Sequence, residues 1–323
     1  MMGGTFGYLE FLALSNDNTH FAQEDEAYKY MDDASLLTVV NLIGSGLASY
    51  NVRSHVPSNI PVHNQIIDSK NLKAQDYLHQ VAQWTDEKKM KLNVRKTKCM
   101  IINPSRTKQF TTNLNLQGEP IEIVDSYKSL GVHLSSDLKW DLNTSKIVQN
   151  ANIRMKILHT AAKFTSNISD LKLIYNSYIR SVLEYGSKVW HSSLTEQNRN
   201  DIERLQRCSV KIILKNNYQS YREALKLLNM ETLDQRREKL NLSFAKKSLK
   251  IDNMKELFPL IDKEHDMKTR KIKKFKVTKA KTERYRKSSV IYMQKLLNKE
   301  NKENLRNLKS CKMGTVHTLV PNP

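Results

Sequence analysis

The stretch AYKYMDDASLL, Ala27 to Leu37, places two adjacent carboxylates, Asp32 and Asp33, between an aromatic run and an apolar run. EAYKYM and ASLLTVV have the length and composition of short strands, and Asp accepts turn geometry readily. The pattern predicts a hairpin with the acidic pair at its turn. Such a turn keeps the carboxylate oxygens exposed on a backbone fixed by the strands. That arrangement suits Mg²⁺, which takes one or two carboxylates and completes its shell with phosphate and water oxygens. It equally suits two polar residues bonding to nearby backbone N–H groups.

Outward from this stretch the chain reads as mixed helix and strand. Between Asp68 and Met90, apolar residues at Leu72, Tyr77, Leu78, Val81 and Trp84 predict an amphipathic helix. KLNVRKTKCMIIN then turns from a polar bend into a strand, Cys99 to Asn103. LNLQGEPIEIVDSYKSLGVHL predicts a small antiparallel set with turns at Gln117-Gly118 and Lys128-Ser129. From about Asn143 the spacing becomes helical. Ile147, Ala151, Met155, Leu158 and Ala162 share one face, and Leu171, Ile174, Tyr175, Tyr178, Val182 and Leu183 share the next. Two more helices are expected around Asp201–Leu214 and Leu233–Lys250. The fold class is α+β. Trp140, Trp190 and Tyr185 read as packing residues, and His191 as structural.

The 323 residues carry 53 Lys and Arg against 33 Asp and Glu, a formal charge of +20. A chain this basic repels itself unless something anionic lies against it, and nucleic acid is the commonest such partner. The cations concentrate between Lys268 and Lys287, where Glu283 is the one acid. Lys268, Arg270, Lys271, Lys273, Lys274 and Lys276 are candidate phosphate contacts, with Phe275 and Tyr285 placed to stack on bases. The same run also reads as a solvated, disordered tail. Cys99, Cys208 and Cys311 form no Cys-x-x-Cys pair, which indicates a reducing, intracellular setting in nucleus or cytoplasm. No apolar run approaches the roughly 20 residues a membrane helix needs, so no membrane partner is expected. A Gly-rich phosphate loop and a nucleophile elbow are both missing from the sequence.

KYMDDASLL resembles the Tyr-x-Asp-Asp motif of reverse transcriptases, motif C of the palm. WTDEKKMKLNVRKTKCMIIN resembles the motif D region of non-LTR retrotransposon enzymes through Trp84, Leu92, Asn93, Lys96, Thr97 and Lys98. VDSYKSLGVHLSSDLKW is similar to their motif E region through Leu130, Gly131, Val132 and Trp140. LIYNSYIRSVLEYGSKVW and DIERLQRCSVKIIL look like the helical thumb and connection that follow. GGTFGYLEFLALSND resembles an eroded motif B through Gly4, Thr5, Gly7, Phe11, Asn16 and Asp17.

The resemblance implies a truncated right-hand polymerase palm over residues 1–145, a helical thumb and connection over 146–260, and a basic tail over 261–323. It implies an RNA template and a DNA primer as partners, and Mg²⁺ as cofactor. Asp32 would bind the catalytic metal, with Asp33 assisting. Tyr30 and Met31 would lie near the primer terminus, and Lys96 near the leaving pyrophosphate. In this family motif A lies upstream of motif C and supplies another metal-binding Asp. Only 31 residues precede Asp32, so the chain as given is expected not to polymerise DNA. The alternatives are a nucleic-acid-binding protein without catalysis, or an inert retroelement relic.

Overall fold

The computed structural model describes residues 26–30, 33–37, 74–76, 78–87, 89, 92–102, 112–261, 274–280 and 282–313. The chain forms two compact units, residues 1–127 and 128–323. It is a mixed helix and sheet protein with small sheets.

In the first unit, β1 (Glu26–Tyr30) pairs antiparallel with β2 (Asp33–Leu37). The register runs from Glu26 opposite Leu37 to Tyr30 opposite Asp33. Asp33 therefore belongs to the strand, not to the turn where the sequence reading put it. Met31 and Asp32 lie outside the described residues. A helix, α1, occupies 78–87 and buries Trp84. After a 3₁₀ turn at Val94–Lys96, β3 (Lys98–Cys99) pairs in parallel with β6 (Glu122–Ile123). β4 (Asn115–Leu116) and β5 (Glu119–Pro120) form a hairpin about Gln117-Gly118, as expected. The Gln75 amide clamps that hairpin, donating to the Asn115 carbonyl at 2.8 Å and accepting its N–H at 2.9 Å. The described strands make separate two-stranded pairings, one of them parallel, instead of one antiparallel set.

The second unit is helical after the hairpin of β7 (Ser126–Ser129) and β8 (Val132–Ser135). This hairpin turns at Leu130-Gly131, two residues later than the sequence suggested. Both residues have positive φ, +46° and +83°, so the glycine supplies a conformation that Ser129 would adopt only with strain. α2 (Asp141–Phe164) and α6 (Glu196–Leu214) form the centre. They run parallel: Asn198 Nδ2 donates to Asp141 Oδ1 at 2.8 Å, Ser209 Oγ meets Met155 Sδ at 2.9 Å, and Lys215 Nζ donates to the Thr165 carbonyl at 3.3 Å.

Between these two helices lie α3 (Ile168–Ile174), a π-helical stretch Tyr175–Arg180, α4 (Ser181–Glu184), α5 (Ser187–Trp190) and a 3₁₀ turn His191–Ser193. α7 (Tyr221–Leu227), α8 (Leu233–Ser248), α9 (Asp252–Lys255), α10 (Glu283–Arg286) and α11 (Ser289–Met313) follow. Several helix starts are capped by side chains. Thr195 accepts from the Asn198 N–H, and Thr232 forms a reciprocal capping box with Gln235, each satisfying N–H groups that the first turn leaves unpaired.

Ile147, Ala151, Leu158 and Ala162 are buried as the spacing predicts, with Met155 half-buried against them. The next face differs. Leu171, Tyr175, Ile179 and Leu183, each four residues apart, are fully buried, whereas Tyr178 is 53% exposed. An α-helix rotates a four-residue row steadily away from the core. The wider i→i+5 winding of Tyr175–Arg180 counters that rotation and keeps the row facing inward. A second cluster, Ala245, Phe258, Phe275, Met293 and Leu297, joins α8 to α11. No helix of the described residues is long and apolar enough to cross a membrane.

Candidate functional site

The acidic hairpin is built from the backbone upward. Five consecutive residue pairs hold β1 against β2, so the Tyr-x-Asp-Asp sequence straddles the closed end of an antiparallel pair. Tyr30 and Asp33 are brought opposite one another as Cα partners. The described residues hold no group of three or more His, Cys, Asp or Glu able to bind a metal ion. Asp32 and Asp33 together would give two carboxylates. A two-metal phosphoryl-transfer site holds its ions about 3.5–4 Å apart and needs further oxygen donors.

Lys96, the candidate for the leaving group, ends the 3₁₀ turn with its side chain exposed. Asn93 Oδ1 accepts its backbone N–H at 3.1 Å and fixes the turn. Lys98, two residues on, is spent differently, in an ion pair with Glu122 across the β3–β6 pairing. Trp84 and Lys98 are therefore structural, and Lys96 is open to solvent.

The Leu-Gly-Val hairpin of the second unit docks on the segment Glu184–Trp190. Tyr185 Oη donates to the Leu130 carbonyl at 2.7 Å, although its ring is 56% exposed. Tyr185 is thus a strut across the surface and not a core residue. Gly131 faces that ring so closely that a Cβ would stand 2.9 Å from Tyr185 Cε1. Trp190 is fully buried, and its indole N–H donates to the Tyr185 carbonyl at 3.0 Å. Trp140 is half-buried against the same core. The Leu130-Gly131-Val132 turn is therefore a fixed joint between hairpin and helices.

Of the basic tail, Lys274 and Lys276 are described; Lys268, Arg270, Lys271 and Lys273 lie outside the described residues. The part described is ordered by α11. Asn298 Oδ1 accepts from the Lys274 and Phe275 N–H groups at 3.1 and 3.0 Å, and Asn298 Nδ2 donates back to the Phe275 carbonyl. Phe275 is 5% exposed in the second core, which corrects its assignment as a base-stacking residue. Its ring is committed to Phe258 and Met293. Tyr285 remains half exposed.

Sequence reasoning missed a buried polar cluster between α5 and α8. His191 and Arg237 are both fully buried, and the Arg237 guanidinium lies 5.5 Å from the Trp190 ring centroid. His191 Nε2 sits 3.5 Å from Tyr292 Oη on α11 and 4.0 Å from Asp234 Oδ1. Burial first, then the cations Arg237 and Arg199, lowers the His191 pKa to about 4, with Asp234 opposing. The native pKa is below the unfolded value of about 6.5, so the unfolded chain binds the extra proton. Stability is whole above about pH 6.5 and falls as pH drops toward 4, by about 3 kcal/mol in total. Urea melts across that range should show this loss for the parent chain and a flatter profile for His191→Gln. Parallel profiles would refute the assignment.

Comparisons with protein-family models, with curated proteins and with solved structures gave no match to this chain.

Proposed function

We propose that this chain is a stretch of a non-LTR retrotransposon reverse transcriptase, with the C-terminal part of the palm, the thumb and the tail. Its partners are an RNA template and a DNA primer. The observation that supports the reading most is the register of β1 and β2, with Tyr30 opposite Asp33 at the closed end of the hairpin. In this reading Asp32 and Asp33 hold Mg²⁺, Tyr30 and Met31 border the primer end, and Lys96 meets the leaving pyrophosphate. Bound Mg²⁺ supplies Lewis-acid stabilisation of the phosphoryl oxygens. The protein residues supply the metal's anchor and a cation for the departing charge.

Among the described residues no group of three or more His, Cys, Asp or Glu could hold a metal ion, and two close carboxylates alone mostly repel each other. Residues 1–323 by themselves are therefore expected to bind a primer–template and not to extend it. The test is nucleotide incorporation by the purified chain with Mg²⁺, beside Asp32→Ala. Extension that disappears in Asp32→Ala would overturn the prediction of inactivity and strengthen the polymerase reading. Absence of affinity for any nucleic acid at low salt would overturn the reading itself. A second reading, nucleic-acid binding without catalysis, is favoured by the charge of +20.

A further inference from the structure

We propose that the C-terminal halves of α2 and α6 form a binding row for the sugar–phosphate backbone of a nucleic-acid strand, contacted by Lys163, Arg207, Lys211 and Lys215. The inference rests on the nucleic-acid half of the reading above, not on the carboxylate pair.

The charges on these helices are segregated along their length. After Asp141, α2 carries Lys146, Arg154, Lys156 and Lys163 with no acid. From Arg204 to Arg222 the chain again has no acid, while Asp201 and Glu203 stand just before it. Because the helices are parallel, their basic ends meet. They enclose a groove of about 190 Å³ lined by His159, Ala162, Lys163, Lys211, Ile212 and Lys215.

Three of the row's four cations lie against neutral groups. Arg207 lies 5.2 Å from the Tyr221 ring centroid, Lys211 lies 5.3 Å from that of Tyr218, and Lys215 donates to the Thr165 carbonyl. None of Lys163, Arg207, Lys211 or Lys215 is in an ion pair with a described residue. Some cations elsewhere in the same unit are neutralised, as in Arg199–Asp234, Arg236–Glu184 and Lys246–Glu300. A cation fixed by a ring face or a carbonyl keeps its full charge for an outside anion.

The bland alternative is that lysines simply complement the negative end of a helix dipole. That accounts for Lys163, Lys211 and Lys215, which lie within the last turn or just past the helix end. It does not account for Arg207, two turns earlier, because the dipole effect fades beyond the last turn. It also leaves like charges lining one hollow with no carboxylate among them. Arg207 and Lys211 are four residues apart on α6, about 6 Å of rise, and Lys215 follows just past the helix end. A row of this kind meets successive anionic groups, which a phosphodiester chain provides and a single ion does not.

The test uses the full chain and a labelled single-stranded RNA, with anisotropy read over a salt series. Lys163→Gln/Lys211→Gln/Lys215→Gln should lower affinity on the order of tenfold and make the log–log salt slope shallower by about 2. A control, Lys239→Gln/Lys246→Gln/Lys299→Gln, removes equal charge from ion-paired sites and should retain the parent slope. A parent chain without affinity for the RNA at low salt would instead overturn the nucleic-acid reading on which this row rests. Two triples that bind alike would overturn the proposal. So would poly-glutamate competing as well as RNA at equal charge.

Discussion

Gly186→Ala is expected to cost the helical unit about 2–4 kcal/mol of stability, the sum of a backbone penalty and an overpacking penalty. Gly186 links α4 to α5 with φ +62°, the left-handed region that a Cβ disfavours. The space is also taken: an added Cβ would stand 2.8 Å from Val132 Cγ2 on β8. Val132 is held in the hairpin, whose next residue, His133, donates its N–H to Asn143 Oδ1 on α2 at 3.1 Å. Relief therefore requires the hairpin to move off α2 or α5 to unwind. Denaturant melts of the single variants and of Gly186→Ala/Val132→Ala separate the two penalties. The double variant should recover the collision part and keep the backbone part. Strictly additive losses would mean that the two residues do not meet.

Arg237→Met, by contrast, should raise stability by about 1–4 kcal/mol, while Arg237→Ala should lower it through the cavity left beside Trp190. Arg237 is fully buried, and none of its three guanidinium nitrogens has a hydrogen-bond partner among the described residues. Burial is also the first cause lowering its pKa. The carboxylates within electrostatic reach are engaged elsewhere. Asp234 pairs with Arg199, Glu184 with Arg236, and Glu203 accepts from Tyr221 and from the Leu233 N–H. Removing the charge therefore strands no partner, and a Met side chain keeps most of the volume over the indole. Urea titrations of both variants decide the matter. A Met variant weaker than the parent would show that Arg237 has satisfied bonds, through water, that the protein groups do not supply.

The helical half was readable because its apolar spacing is long and regular. Ile147, Ala151, Leu158 and Ala162 repeat at helical intervals over several turns, and no tertiary effect overrides that signal. Tyr178 was misread because a π-helical stretch carries no sequence mark that spacing rules detect. Lys128-Ser129 was chosen as a turn from residue type, whereas the glycine at 131 set the place. Phe275 was read with its charged neighbours, since nothing local shows that Asn298, 23 positions on, will capture its backbone. The hairpin follows from the strand pattern on either side of Asp32-Asp33, but residue type drew Asp33 into the turn, whereas it pairs with Tyr30 in the strand. The buried meeting of Arg237 with the adjacent Trp190 and His191 does not follow from local pattern, because Arg237 comes from a separate helix, α8.

The parallel course of α2 and α6 has a kinetic side. Neighbouring helices in an up-down bundle meet through short loops and close quickly. Here the contacts that define the centre join residues 57, 54 and 50 positions apart. Each requires a long loop to close before it returns any stabilisation, so this unit should fold more slowly than its helix content suggests. During synthesis, the side of α2 that meets α6 must wait for residue 215 to leave the ribosome, whereas α3, the π-helical stretch and α4 can pack on α2 sooner. Assembly of the basic face is thus the last consequence of that wait, since Lys163 and Lys211 come together only when the two helices do.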